Sequence, residues 1–295
     1  MKKILTGVLA VSLLASLAIS ASALEDAERT DVTVYKNTPT IDGVINNGEW
    51  DQENAIDITA DNAMLWSGDE INNLVYFYYS WDDNGLYLAA DVSDTDVCKP
   101  ADTSEVYNLD AFQFAMDPGG MIAADGAYGG AMFYSIGPMQ DGNLGAVYHP
   151  YGGAAEDFDY TGAYTMTDDG WQFEMIIPWT SVEILGGDGY DWKHADGETI
   201  NALLCVLDRE EDGAVAHTYQ ITNAGAVTFA PADYPLELHL STFVAPSLEV
   251  PEEPAVDEPA VDAPVDTAPT TADAGIVAAA AVMAVAAGVV LSKKH

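Results

Sequence analysis

The chain has 295 residues and a formal charge of −39, from 48 Asp and Glu against 9 Lys and Arg. Such a length admits one large domain or two small ones, and 49% apolar residues with 15 Tyr and 6 Trp exclude general disorder. The acidity excludes a binder of phosphate backbones, which needs clustered Lys and Arg, and disfavours docking on anionic lipid.

From the N-terminus, Lys2 and Lys3 precede an apolar run from Ile4 to Ile19, and Ser20-Ala21-Ser22-Ala23 follows. A charged start, an apolar stretch and an A-x-A site predict an export signal over residues 1–23, removed after Ala23. The folded domain is expected over 24–245. Within it Val75, Phe77, Tyr79 and Trp81 alternate with Tyr76, Tyr78 and Ser80. Leu86, Leu88, Ala90 and Val92 repeat the alternation, as do Trp171, Phe173, Met175 and Ile177. A period of two with aromatic and β-branched residues predicts half-buried strands, with Tyr76 and Tyr78 on an outward face. Asp82-Asp83-Asn84-Gly85 and Asp168-Asp169-Gly170 predict hairpin turns. Only Gly48–Asn54 and Thr180–Leu185 read as helical, and both are short. Ten or more strands with so little helix predict an all-β protein, an antiparallel β-sandwich.

After the domain, residues 246–273 are rich in Pro, Glu, Asp, Val and Ala, with Pro-Ala-Val-Asp at 254–257 and again at 259–262. This acidic, Pro-rich composition predicts an extended linker. Residues 274–295 hold an apolar stretch, Gly275 to Leu291, and a basic end, Ser292-Lys293-Lys294-His295. As a helix it would measure roughly 25 Å, marginal for a bilayer core of about 30 Å. Just upstream, Ala268-Pro269-Thr270-Thr271-Ala272 resembles the sorting signal of Gram-positive surface proteins, Leu-Pro-x-Thr-Gly, with Ala268 in place of Leu and Ala272 in place of Gly. The resemblance implies a sortase-like transpeptidase cutting after Thr271; the alternative is a plain C-terminal membrane anchor. Both predict an exported protein held at the cell surface, touching the membrane only through its C-terminal segment.

Without both ends, five basic residues remain: Arg29, Lys36, Lys99, Lys193 and Arg209. So few cations favour a neutral ligand over an anionic one. Cys98 and Cys205 leave two readings open, a disulfide allowed by export or separate thiols, with Cys205 inside an apolar strand. No metalloprotease, nucleophile-elbow, phosphate-loop or Cys-x-x-Cys pattern occurs, and His149, His194, His217 and His239 share no metal-ligand spacing. The chain therefore reads as non-catalytic, with no catalytic cofactor. Clusters such as Asp94-Thr95-Asp96 would supply oxygen ligands to a structural calcium ion.

Four segments in order resemble one family. They are Pro39-Thr40-Ile41-Asp42-Gly43 with Trp50; Trp81-Asp82 to Leu88 with Val92-Ser93-Asp94; Asp110-Ala111-Phe112-Gln113; and Gly170-Trp171-Gln172-Phe173-Glu174 to Pro178-Trp179. Together they resemble the family 9 carbohydrate-binding modules of the wider DOMON-like superfamily, over about residues 32–242. The resemblance implies a β-sandwich, often with bound calcium, that clamps a sugar ring between two aromatic side chains. Carried over by motif, the clamp would be Tyr107 and Phe229, with polar contacts at Gln113 and Tyr134. Tyr107 and Phe229 stand where the best-known sugar binders have tryptophan, Gln113 where they have Glu, and Tyr134 where they have Arg. Trp81, Trp171 and Trp179 occupy packing positions. The leading expectation is a surface-displayed, non-catalytic module for a neutral polysaccharide or oligosaccharide. The alternatives are an adhesin or scaffold recognising a protein, and a haem-binding electron-transfer domain with Met64, Met116, Met132 or Met139 as candidate axial ligands.

Overall fold

The computed structural model describes residues 29–59, 63–68, 70–71, 73–122, 132–148, 159–185, 191–210, 216–221 and 233–248. Among them thirteen strands form two sheets. The smaller sheet runs β2 (Ile56–Ile58), β4 (Leu74–Trp81), β5 (Gly85–Ser93), β10 (Gly170–Pro178), β9 (Thr161–Met166). The larger runs β1 (Thr30–Tyr35), β13 (Leu236–Ser241), β11 (Thr199–Arg209), β6 (Ala111–Pro118), β7 (Met132–Pro138), β8 (Leu144–Tyr148). Its remaining strands are β12 (Ala216–Ile221), beside β11, and β3 (Ala63–Ser67), beside β12.

The expected sandwich is therefore present, and both predicted hairpins form, β4–β5 and β9–β10. One pairing departs from the antiparallel expectation: β1 lies parallel to β13. These are the first and last strands of the domain, so no hairpin dictates their relative direction. Among the described residues the helical elements are α1 (Trp179–Leu185) and 3-10 turns at Gln52–Asn54, Thr103–Asn108 and Pro246–Leu248, besides the helical pair 121–122. The first predicted helix thus shrinks to one turn, and the turn at 103–108 has no periodic signal in the sequence. No helix among the described residues is long and apolar enough to cross a membrane. The segments 1–23, 249–273 and 274–295, with Ala268 to Ala272, lie outside the described residues.

Period-two alternation fills the space between the sheets. Val75, Phe77, Tyr79 and Trp81 of β4 join Leu86 to Val92 of β5 and Trp171 to Ile177 of β10 from one side. Phe112, Phe114 and Met116 of β6, Tyr134 and Ile136 of β7 and Ile200 to Val206 of β11 meet them from the other. Phe77 and Phe173 each pack against Phe112 at 5.4 Å between ring centres, which locks the layers at mid-height. Trp81, Trp171 and Trp179 are buried in this core, as their motif positions imply.

The outer face of the smaller sheet is partly roofed. Segment 37–55 lies over Tyr78, Tyr87 and Ala89, with Trp50, Ile41 and Ile45 packed on them. Tyr78 is thereby buried, not outward-facing as the alternation predicts, whereas Tyr76 remains 39% exposed. The roof hangs on Glu174, fully buried on β10: one oxygen accepts from Trp50 Nε1 (2.7 Å) and the other from the backbone N–H of Gly43 (2.8 Å) and Asp42 (3.0 Å). Gly43 has φ +84°, and a Cβ there would stand 2.8 Å from the Tyr164 backbone, so this approach requires glycine. Asp82 closes the β4–β5 turn in the same manner, accepting from Asn84 N, Gly85 N, Tyr87 Oη and Thr38 Oγ1.

Candidate functional site

On the larger sheet the residues facing away from the core are Ala111, Gln113 and Ala115 of β6, Ser135 of β7, and Leu203, Cys205 and Leu207 of β11, because strand neighbours alternate in facing. Gln113 stands between Ser135 and Cys205 in register and is half-buried. The turn Thr103–Asn108 sits over one end of this face. Its Val106 is buried against Ala111, Met139 and Leu207, and Asp102 caps its start by accepting from Ser104 N at 2.9 Å. With Val106 held down, Tyr107 is turned outward and is 42% exposed. The turn that carries Tyr107 is thus seated, through Val106 on Ala111, over the same face of the larger sheet as Gln113. A flat aromatic ring and an amide that both donates and accepts suit a ligand with C–H faces and hydroxyls.

Of the other two expected contacts, one faces the core and the other is not among the described residues. Tyr134 lies on the opposite, inner side of the larger sheet, fully buried and stacked on Phe114 at 6.5 Å and 20°. Phe229 lies outside the described residues. Of the methionines named as axial-ligand candidates, Met116 is in the central core and Met139 under the turn with Val106. Met64 is exposed on β3, and the Met132 side chain lies outside the described residues. Cys98 and Cys205 are free thiols, Cys205 in the outer-face cluster with Ala115, Leu203 and Tyr234.

At the same end of the sandwich, three carboxylates meet inside. Asp94 follows β5, Asp110 precedes β6 and Asp208 ends β11; all three are buried, with one oxygen from each within 4.8 Å of the others. Burial, and then the charge of Asp208, pushes Asp94 up to about 7. Burial, then Asp94 and Asp208, pushes Asp110 up to about 8. Asp110 accepts from the backbone N–H of Arg209 (2.7 Å) and of Cys98, and Asp94 from Asp96 N. Burial and the neighbouring Asp110, Asp96 and Asp94 also raise the Cys98 thiol to about 11, which makes it a poor thiolate ligand. The donor set is thus carboxylate oxygen, the chemistry of a hard divalent cation such as calcium. Asp94 also lines a surface cleft of about 410 Å³ with Asp96, Cys98, Lys99, Met166 and Asp168. The sequence singled out Asp94 but not its two partners. Their signal was a charge at an inward position: Asp110 just before Ala-Phe-Gln-Phe, and Asp208 after Leu-Leu-Cys-Val-Leu.

A second group lies on the outer face of β1 and β13. His239 Nε2 is 3.2 Å from Asp31 Oδ1 and 3.5 Å from Glu237 Oε1, and Glu237 also faces Arg29 at 3.9 Å. His194 is stacked on Trp179 at 4.8 Å and 8°, a packing position.

No protein-family model matches the chain. It is 26% identical over 171 residues to exoglucanase XynX of Acetivibrio thermocellus, a stretch that is 56% of this chain and 14% of that enzyme. The chain thus matches about a seventh of the length of this curated relative. Among solved structures, it is similar to a family 9 carbohydrate-binding module from Caldicellulosiruptor kristjanssonii in complex with cellotriose, at a TM-score of 0.51 and 18% identity, covering 76% of this chain and all of that one. The corresponding module in complex with glucose gives a TM-score of 0.51 at 16% identity, covering 73% of this chain and 97% of that one. The fold is that of these modules: two packed β-sheets with little helix.

Proposed function

We propose that this protein is a non-catalytic carbohydrate-binding module displayed at the cell surface, taking a neutral glucan or its chain end on the outer face of the larger sheet. The observation that carries the reading is the exposed Tyr107 ring on a turn seated over the outer face that also carries Gln113, on a fold shared with modules solved in complex with cellotriose and glucose. Tyr107 would stack on one sugar ring, and Gln113 would exchange hydrogen bonds with its hydroxyls. Phe229 would supply the second face of the clamp. Tyr134 would support the sheet from beneath. The stretch shared with XynX is a small part of a protein named for exoglucanase activity, which supports an accessory role toward glucan over hydrolysis.

Asp94, Asp110 and Asp208 would hold a calcium ion, whose charge would offset their mutual repulsion and tie the two sheets at this end. Export by the leader and attachment by a sortase acting after Thr271 complete the proposal; Thr271→Ala should move the protein from wall-linked to membrane-retained or shed fractions. Equal wall fractions for mutant and wild type would remove the sortase.

The glycan reading is tested by titrating the secreted chain with cellotriose. A sugar ring stacked on an aromatic gains on the order of 1–2 kcal/mol, so Tyr107→Ala should weaken binding roughly tenfold. Gln113→Ala should weaken it as well, by leaving a ligand hydroxyl unpaired. Unchanged affinity in both variants would place the ligand elsewhere, first on the face of Tyr76.

A further inference from the structure

The loop that presents Tyr107 is closed at its base by a residue of the acidic triad. Asp110 N donates to Cys98 O at 3.3 Å, while Cys98 N donates to the Asp110 carboxylate, so residues 98 and 110 are clasped in both directions. The other Asp110 oxygen accepts from Arg209 N at the end of β11, beside Asp208. Between these ends the chain is irregular apart from the single turn Thr103–Asn108. Its further attachments include Lys99 Nζ over the Tyr164 ring at 5.8 Å. Gln140 reaches the Lys99 carbonyl through Nε2 (2.8 Å) and the Pro100 carbonyl through its backbone N–H (3.0 Å), and Val106 sits in its apolar seat. Tyr107 is three residues from Asp110.

We propose that divalent-cation binding at Asp94, Asp110 and Asp208 orders the loop 98–110 and thereby sets the affinity of the glycan face. The inference rests on the glycan and calcium readings above and adds a coupling between them. With the three carboxylates ionised and no cation bound, Asp94 and Asp208 press on Asp110 through their charge, and the carboxylate that must accept from Cys98 N and Arg209 N is the one displaced. With the cation held, the same carboxylate is attracted inward and both backbone donors keep their acceptor. Tyr107 is then presented in one place rather than several, and a ligand no longer has to order it. Because such coupling is reciprocal, the factor by which calcium tightens glycan binding equals the factor by which glycan tightens calcium binding. A factor of about ten would fall in the usual range for coupled sites.

The experiment uses the secreted chain, stripped with chelator or saturated with calcium, and the Asp208→Asn variant, which weakens the cation site without touching the loop's own hydrogen bonds. Calcium binding and cellotriose binding are measured by calorimetry, each with and without the other, and amide exchange is followed over residues 99–109 relative to β5. The proposal expects calcium to slow exchange at 99–109 more than in β5, both affinities to rise by one common factor near ten, and both effects to shrink in Asp208→Asn. If that variant fails to fold, the comparison of stripped and saturated wild type decides. Slowed exchange at 99–109 with no cellotriose binding in either state would uphold cation control of the loop and overturn the glycan reading. Exchange at 99–109 unchanged by calcium, no calcium bound, or cellotriose affinity equal in the two states would overturn the proposal.

Discussion

Replacing Glu174 tests whether the roof over the smaller sheet is held by one buried carboxylate. In Glu174→Ala, Trp50 Nε1 and the Gly43 N–H lose acceptors at 2.7 and 2.8 Å in a buried setting, and the Asp42 N–H loses one at 3.0 Å where water can partly replace it. A buried donor left without a partner costs about 1–3 kcal/mol. Two such donors, with a smaller contribution from Asp42, imply a loss of about 3–5 kcal/mol. Burial raises the Glu174 carboxyl above its ordinary range, so part of its stabilisation is already offset by desolvation, which argues for the lower end. Glu174→Gln keeps one acceptor but turns an amide N–H₂ toward a donor, and should cost about half as much. Urea unfolding of the secreted chain, followed by tryptophan emission, measures both. If the roof detaches before the sandwich unfolds, Trp50 should become accessible to acrylamide ahead of the main transition. Stability within 1 kcal/mol of wild type in both variants would show that apolar packing of Trp50 on Tyr78 and Tyr87 holds the roof, and that the carboxylate is incidental.

Further outcomes follow from other parts of the fold. In chelator, melting temperature should fall as pH rises from about 5 through 8, because Asp94 and Asp110 have folded-state pKa values raised to about 7 and about 8; a raised pKa stabilises the fold below the unfolded value near 4 and loses that contribution as the folded value is passed. Added calcium should give its largest gain above pH 8, and an apo melting temperature flat across this window would refute the triad's role. Gly43→Ala should cost about 2–4 kcal/mol in urea unfolding, from a positive φ and a backbone clash, whereas Gly48→Ala, with φ +77° but open space, should cost about 1 kcal/mol. Tyr134→Ala should lower stability by about 3–5 kcal/mol as a core truncation, while Tyr107→Ala should leave the unfolding curve almost unchanged.

What the sequence disclosed follows from what is local. Alternation in β4, β5 and β10 is a property of seven to nine consecutive residues, and it places Phe77, Leu88 and Phe173 in the core without any knowledge of their partners. The Asp-Asn-Gly and Asp-Asp-Gly turns are equally local, and so are both hairpins. Tyr78 is the counterexample: alternation sends it outward, and only the distant segment 37–55, fastened to Glu174, covers it. Tyr134 fails for a related reason. A motif offset one strand along identifies a position but not its facing, and Ser135, not Tyr134, shares the side of Gln113. The triad joins three strand ends separated by 16 and 98 positions, which no spacing rule could pair. Its members were visible singly, as charges at inward positions; their meeting is a product of topology.

That meeting has a physical logic in the chain's charge. A sandwich core must stop at each end, where the sheets no longer cover one another, and here β5, β6, β10 and β11 end in register: Gly170 opposite Ser93, Leu207 opposite Ala111. The next inward positions are Asp94, Asp110 and Asp208, so the apolar layer ends in carboxylates. In many proteins a lysine or arginine would lie across such acids. Of the five basic residues between the two ends of this chain, Arg29 pairs with Glu237, Lys36 pairs with Asp83 and lies over Trp81, Lys99 lies over Tyr164, and Arg209 stands next to Asp208. A sequence this poor in cations has to neutralise buried acids with protons or with an ion from outside. A proton would do so only below about pH 7, because the folded-state values of Asp94 and Asp110 lie at about 7 and about 8. At neutral pH or above, the proposed divalent ion would be the counter-charge that keeps this end of the fold, and the Tyr107 loop attached to it, in place.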